Sequence, residues 1–126
     1  MSSAPATTLS GLTLEVVAFR AGAWRCAVEA RLVRASRPLP PDNNVPELAE
    51  RLGLAGAGTA ARQLLLIKHP EADRPFAVTA PVQLQAIPVE HIHPLPPLLA
   101  ATTAIPGLRA LILDAEGIAL LVDVPE

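Results

Sequence analysis

Between residues 24 and 32 the chain alternates with a period of two: Trp24, Cys26, Val28, Ala30 and Leu32 fall on one side, and Arg25, Glu29 and Arg31 on the other. Successive side chains of a strand point to opposite faces, so the pattern predicts a half-buried strand with Cys26 turned inward. The preceding run "LTLEVVAF" (12–19) is rich in β-branched and large apolar residues, and Ala21-Gly22 supplies a tight turn between the two. In "RPLPPDNN" (37–44) three prolines and three turn-forming residues then break regular structure.

One segment has helical spacing. In "NVPELAERLG" (44–53) Leu48 and Leu52 stand four apart, Asn44 and Glu47 are spaced as a capping box, Pro46 suits a first turn and Gly53 a stop. "AGAGTAA" (55–61) reads as a small-residue linker. Strands resume with "RQLLLIK" (62–68), turn through "HPEADRP" (69–75) and continue as "FAVTAPVQLQAIPVE" (76–90), where Pro81 demands an edge, a bend or a bulge. "LRALILD" (108–114) and "IALLVDV" (118–124), joined by "AEG", form a hairpin. Strand candidates at this spacing, with one short helix, predict an all-β domain of barrel or sandwich type. Residues 1–11, small and polar, are expected to be a flexible N-terminal lead, and 12–126 a single domain.

Composition removes several functional classes. The chain of 126 residues is 51% hydrophobic with 14 prolines, too apolar for disorder, and the prolines belong in loops and at edges. A net charge of −2, no tyrosine and 2% aromatics leave neither the basic footprint nor the stacking surface of a nucleic-acid binder, so no nucleic acid is expected as the main ligand. A single cysteine, Cys26, makes no intramolecular disulfide and points to a reducing compartment. The start "MSSAPATTLSG" lacks a signal-peptide pattern, and no apolar run approaches the ~18 residues of a spanning helix, so the expected location is cytoplasmic, without membrane insertion.

Candidate chemistry is sparse. His91 and His93 in "HIHPLPPLL" have the His-x-His spacing that places two imidazoles on one strand face, but Glu90 would point the other way and His69 lies in a distant turn. A small metal-binding protein or enzyme using His91 and His93 is therefore the alternative reading, and a strand end entering a proline loop the favoured one. Cys26 has no basic partner on its face, no serine lies in a G-x-S-x-G setting, and "GLAGAG" follows a helix instead of opening one. Asp114, Glu116 and Asp123 read as ordinary turn acids. No enzyme and no cofactor are expected. Arg20, Arg25, Arg31, Arg34 and Arg37, five of ten basic residues, read either as a solvated strand face or as a docking surface for an acidic protein.

The order of these segments resembles the CheW-like domain, the family that couples bacterial chemoreceptors to their histidine kinase. "CAVEARLVRAS" is similar to that family's second strand with its V-r-e-V ending, and "VPELAERLGL" to its I-D-L-a-x-x-L-G-L piece. "RQLLLIKHPEADRPFAVTAPVQLQAIPVEHIHPLPPLL" resembles its second-half hairpin with a proline-rich exit, and "IPGLRALILDAEGIALLVDV" its last two strands. The likeness runs over residues 12–124 and rests on the order of several weak motifs. Between "PLPP" and "NVPELAERLGL" the family carries two further strands with an N-L-R-G-like signature that this chain lacks, Ala80-Pro81 stands at the family's V-D motif, and Ser36 replaces a valine.

The resemblance implies a pair of small SH3-like β-barrel subdomains with one short helix, the first subdomain abridged. It further implies a non-enzymatic adaptor that binds the chemoreceptor cytoplasmic signalling domain. A histidine kinase regulatory domain or other CheW-like proteins would be further partners, with the kinase contact the one that the missing hairpin weakens. On this reading Leu32, Val33, Arg34 and Ser36 from the first half and Val82, Leu84 and Ala86 from the second line an inter-barrel groove for partners.

Overall fold

The structure is a computed structural model that describes residues 12–21, 24–39, 45–52, 54, 62–96 and 107–123. Among the described residues eight strands and one helix follow in chain order: β1 Thr13–Ala21, β2 Trp24–Glu29, β3 Val33–Pro38, α1 Leu48–Arg51, β4 Arg62–Ile67, β5 Arg74–Pro88, β6 Ile92–Pro94, β7 Leu108–Asp114 and β8 Gly117–Val122. They form one sheet in the order β3-β4-β5-β1-β2-β8-β7-β6. Neighbours are antiparallel except β2 and β8, which pair in parallel through Cys26↔Leu120 and Ala27↔Leu121.

Consecutive residues are buried in three central strands: Val16 and Val17 in β1, Cys26 to Glu29 in β2, Ala119 to Val122 in β8. Neighbouring side chains of a strand point to opposite faces, so these strands are covered on both sides. The half-buried strand expected at 24–32 is thus corrected in two respects. Its charged face is also interior, and it stops at Glu29.

Two separate cores account for this. Fifteen buried residues form the larger one, including Val17, Val28, Leu65, Phe76, Val78, Leu120 and Val122, with Leu48, Ala49, Leu52 and Leu54 plugging it from the helical segment. Seven form the smaller: Val16, Ala27, Ile87, Ala110, Ile112, Ala119 and Leu121. The sheet curls into two barrels that share β1, β2, β5 and β8, each barrel packed about its own core.

Each barrel turns its corner by the same device. A three-residue 3-10 turn, Ala30–Leu32, carries β2 into β3, and another, Val89–His91, carries β5 into β6. Entry angles are φ −59°, ψ 134° at Glu29 and φ −57°, ψ 135° at Pro88; exit angles are −104°, 125° at Val33 and −101°, 121° at Ile92. The two halves of the chain thus repeat one turn. It also explains why both predicted strands, 24–32 and 76–90, end early.

Pro81 has the predicted effect. Arg74 to Thr79 pair with β4, while Gln83 to Pro88 pair with β1, Thr79 also pairing Arg20 of β1, and the register shifts between Ala18 and Arg20 opposite the cis Ala80–Pro81 bond. A residue without an N–H cannot serve the ladder, so β5 changes partner there. One 15-residue strand thereby serves both barrels.

The helix is shorter than its sequence signal. Glu47 stands in extended conformation and bridges Ala77 in parallel, and Ala77 N–H donates to Pro46 O at 2.8 Å. That pairing holds the chain extended up to Glu47, so helix begins only at Leu48. Asn44, the predicted stop at Gly53, the linker 55–61, the lead 1–11 and residues 97–99 of the "PLPPLL" loop lie outside the described residues. Pro38 continues β3 opposite Gln63, which an edge strand tolerates. Residues 39–47 separate β3 from α1, and 40–44 of them lie outside the described residues.

Candidate partner-binding surfaces

Val82, Leu84 and Ala86 alternate along β5 and share one side of it. Their register, Val17↔Leu84 and Glu15↔Ala86, puts them on the side where Val17 enters the larger core. Val82 packs against that core, and so does Val33 from β3. Beyond them the strand leaves the first barrel, and Leu84 is 67% exposed, the most exposed large hydrophobic among the described residues. An apolar strip therefore runs out of the core onto the surface. Leu32 sits half-buried in the turn before β3.

Arg34 and Ser36 are placed differently. Arg34 Nε donates to Asp73 Oδ2 at 3.1 Å, and Ser36 Oγ donates to Gln63 Oε1 at 3.2 Å. Both are exposed and tied to β4 and the turn after it. Of the seven residues expected to line a groove, four thus belong to the larger core's margin and the β5 strip, Leu32 adjoins them in the chain, and two bond elsewhere.

A second apolar patch was not anticipated. Leu113 and Ile118 are cross-strand partners near the tip of the last hairpin, and the parallel β2–β8 register brings Trp24 beside Ile118. All three are exposed, at 40%, 53% and 45%. Trp24 shares a strand face with buried Cys26, but it lies at the strand's outer end, where the core stops. Two large apolar residues flanking the turn "AEG" were the available signal.

Charges pair across long sequence distances. Glu29, 9% exposed, accepts from Arg31 Nε at 3.0 Å and is also bonded by Arg109, which reaches Asp123 at 3.4 Å. Burial pushes the Glu29 carboxyl up, but the hydrogen bonds from Arg31 and Arg109 outweigh it and hold the group below the usual carboxylate range. Arg25 grips Asp114 with both terminal nitrogens, at 3.2 and 3.0 Å, and its hydrogen bond lowers the Asp114 carboxyl. Arg62 pairs with Glu47. The five arginines singled out in the sequence therefore do not form one stripe: Arg25, Arg31 and Arg34 are each committed to a different acid.

Cys26 is buried, and burial pushes its thiol up to about 12, which makes it a packing group. His91 lies in the 3-10 turn and His93 in β6, so the pair does not share the single strand that the His-x-His spacing suggested. Among the described residues no group of three His, Cys, Asp or Glu is placed to hold a metal ion. No helix among them is long and apolar enough to cross a membrane.

No family model and no curated protein matches the sequence. Among solved structures the chain is similar to the scaffolding protein TtCheW from Thermoanaerobacter tengcongensis. The TM-score is 0.65 at 14% identity, covering 89% of this chain and 90% of that one. The fold is therefore that of CheW-like domains.

Proposed function

We propose that the protein is a non-enzymatic scaffold of a bacterial chemosensory array, working in the cytoplasm and binding the cytoplasmic signalling domain of a chemoreceptor. The observation that carries this reading is the apolar strip of Val82 and Leu84 on β5, which continues a barrel core onto the surface of a CheW-like fold. A large side chain held outward by a paired strand has little entropy left to lose on docking, so it makes an efficient anchor. Ala86 extends the strip along β5, and Leu32, Val33, Arg34 and Ser36, in the turn before β3 and along it, make a second flank of the receptor surface.

A scaffold must hold two partners at once, which requires two surfaces. The row Trp24, Leu113 and Ile118 supplies the second, a fit for a kinase regulatory domain or another CheW-like protein. None of this needs a cofactor or a bond-making step. Titration calorimetry against the receptor signalling domain from the same cell tests the reading. Wild type is expected to bind, and Leu84→Asp to bind at least ~10-fold more weakly, a loss of about 1.4 kcal/mol. Unchanged affinity of Leu84→Asp would remove the strip from the contact, and no binding of wild type would overturn the assignment.

A further inference from the structure

Below Leu32 the turn before β3, the start of the β4–β5 turn and the ends of β7 and β8 enclose a cleft of about 430 Å³. Four cationic side chains line it: Arg31, Lys68, Arg74 and Arg109. Among the described residues only two carboxylates answer them, Asp123 in the lining and Glu29 behind Arg31 and Arg109. Among those residues two positive charges are left over, on a chain whose net charge is −2. Among the described residues Lys68 and Arg74 make no ion pair, and the neighbouring Asp73 is taken by Arg34 on the outside.

The cations are fixed by backbone as well as by charge. Lys68 N–H donates to Leu32 O at 2.8 Å, which ties the end of β4 to the 3-10 turn carrying Arg31. Asp123 N–H donates to Gly107 O at 2.8 Å, which fixes the strand ends carrying Arg109. Glu29 in turn holds Arg31 and Arg109 by one edge of each guanidinium. A guanidinium has five N–H donors, so both keep donors for a ligand.

We infer that this cleft is a docking site for an acidic amphipathic segment of a protein partner, whose carboxylates meet Arg31, Lys68, Arg74 and Arg109. Charge complementarity names the partner's sign. Size and lining name its class: the space exceeds what a lone oxyanion needs, and Leu32 and Pro70 at the wall suit the methylene stems and apolar neighbours of glutamate side chains. The cleft shares Leu32 with the proposed receptor surface but none of Val82, Leu84 and Ala86, so binding in it does not depend on a receptor seated on the β5 strip.

Fluorescence anisotropy with a labelled helical peptide of glutamate and leucine, beside a twin in which every glutamate is glutamine, tests it on the full chain. The glutamate peptide is expected to bind, to weaken steeply with added salt, and to bind the double variant Lys68→Glu, Arg74→Glu at least ~10-fold more weakly, while the glutamine twin binds poorly to both. The thermal midpoint of the double variant should be unchanged, since neither residue carries an ion pair among the described residues, and Leu84→Asp should bind the glutamate peptide as wild type does. Equal binding of the two peptides, or of wild type and double variant, would overturn the inference. So would stoichiometric displacement of the peptide by millimolar inorganic phosphate, which would make the cleft a site for free anions.

Discussion

Replacing Glu29 by glutamine isolates one of the ion-pair clusters that link the two halves of the chain; Arg25 with Asp114 is another. Glu29 is 9% exposed and sits at the end of β2, while Arg109 enters from β7, 80 residues away. Hydrogen bonds to a charged group contribute about 1.5–3 kcal/mol each where they are protected. Here the arginine side chains are 69% and 44% exposed, so solvent screening brings each contact down to about 1 kcal/mol or less. Glutamine keeps one carbonyl acceptor, and the expected loss at pH 7 is therefore about 1–2 kcal/mol, or roughly 3–10 °C in Tm for a chain of this size.

The loss should depend on pH. The folded carboxyl lies below its ordinary value, so the unfolded chain binds more protons in that range and stability rises with pH. The contribution is complete above the unfolded value of ~4.3 and disappears as pH falls through the folded one. Urea unfolding of wild type and Glu29→Gln between pH 7 and pH 3 measures it. A gap that is present at pH 7 and closes in acid supports the assignment. No gap at pH 7, or one that persists unchanged in acid, would refute it.

Leu48 is fully buried in a helix of only four residues, so Leu48→Ala should cost about 2–5 kcal/mol in denaturant unfolding, whereas Leu84→Ala should stay within about 0.5 kcal/mol. Gly107 has φ +79°, and a Cβ there would lie 2.1 Å from Asp123 O, so Gly107→Ala should destabilise by more than about 1 kcal/mol in the same assay. The Cys26 thiol should resist alkylation at pH 8 in the folded protein and react at once in denaturant; equal rates in both would contradict its burial.

Most strands were legible as short runs of β-branched and large apolar residues between turn signals, as in "LTLEVVAF" and "RQLLLIK". What escaped depended on contacts between distant parts of the chain. Glu29 reads as a solvent-facing charge until Arg109 is folded beside it. Asn44 and Glu47 have the spacing of a cap, but the bridge from Glu47 to Ala77 keeps that stretch extended. His91 and His93 look like strand ligands because nothing local announces the 3-10 turn between β5 and β6. The same turn at Ala30–Leu32 cut short the other predicted strand. Trp24 kept the right strand face, and its exposure follows from where the core ends. The basic cleft drew Arg31 from the noticed arginines, while Lys68, Arg74 and Arg109 arrive from three other elements.

Co-sedimentation of a receptor signalling array with the kinase regulatory domain, with and without this protein, measures scaffolding itself. The protein is expected to pellet with the receptor and to carry kinase domain into the pellet in proportion to its own amount, and Leu84→Asp to abolish both effects. A protein that stays in the supernatant while the receptor sediments would contradict a scaffold role.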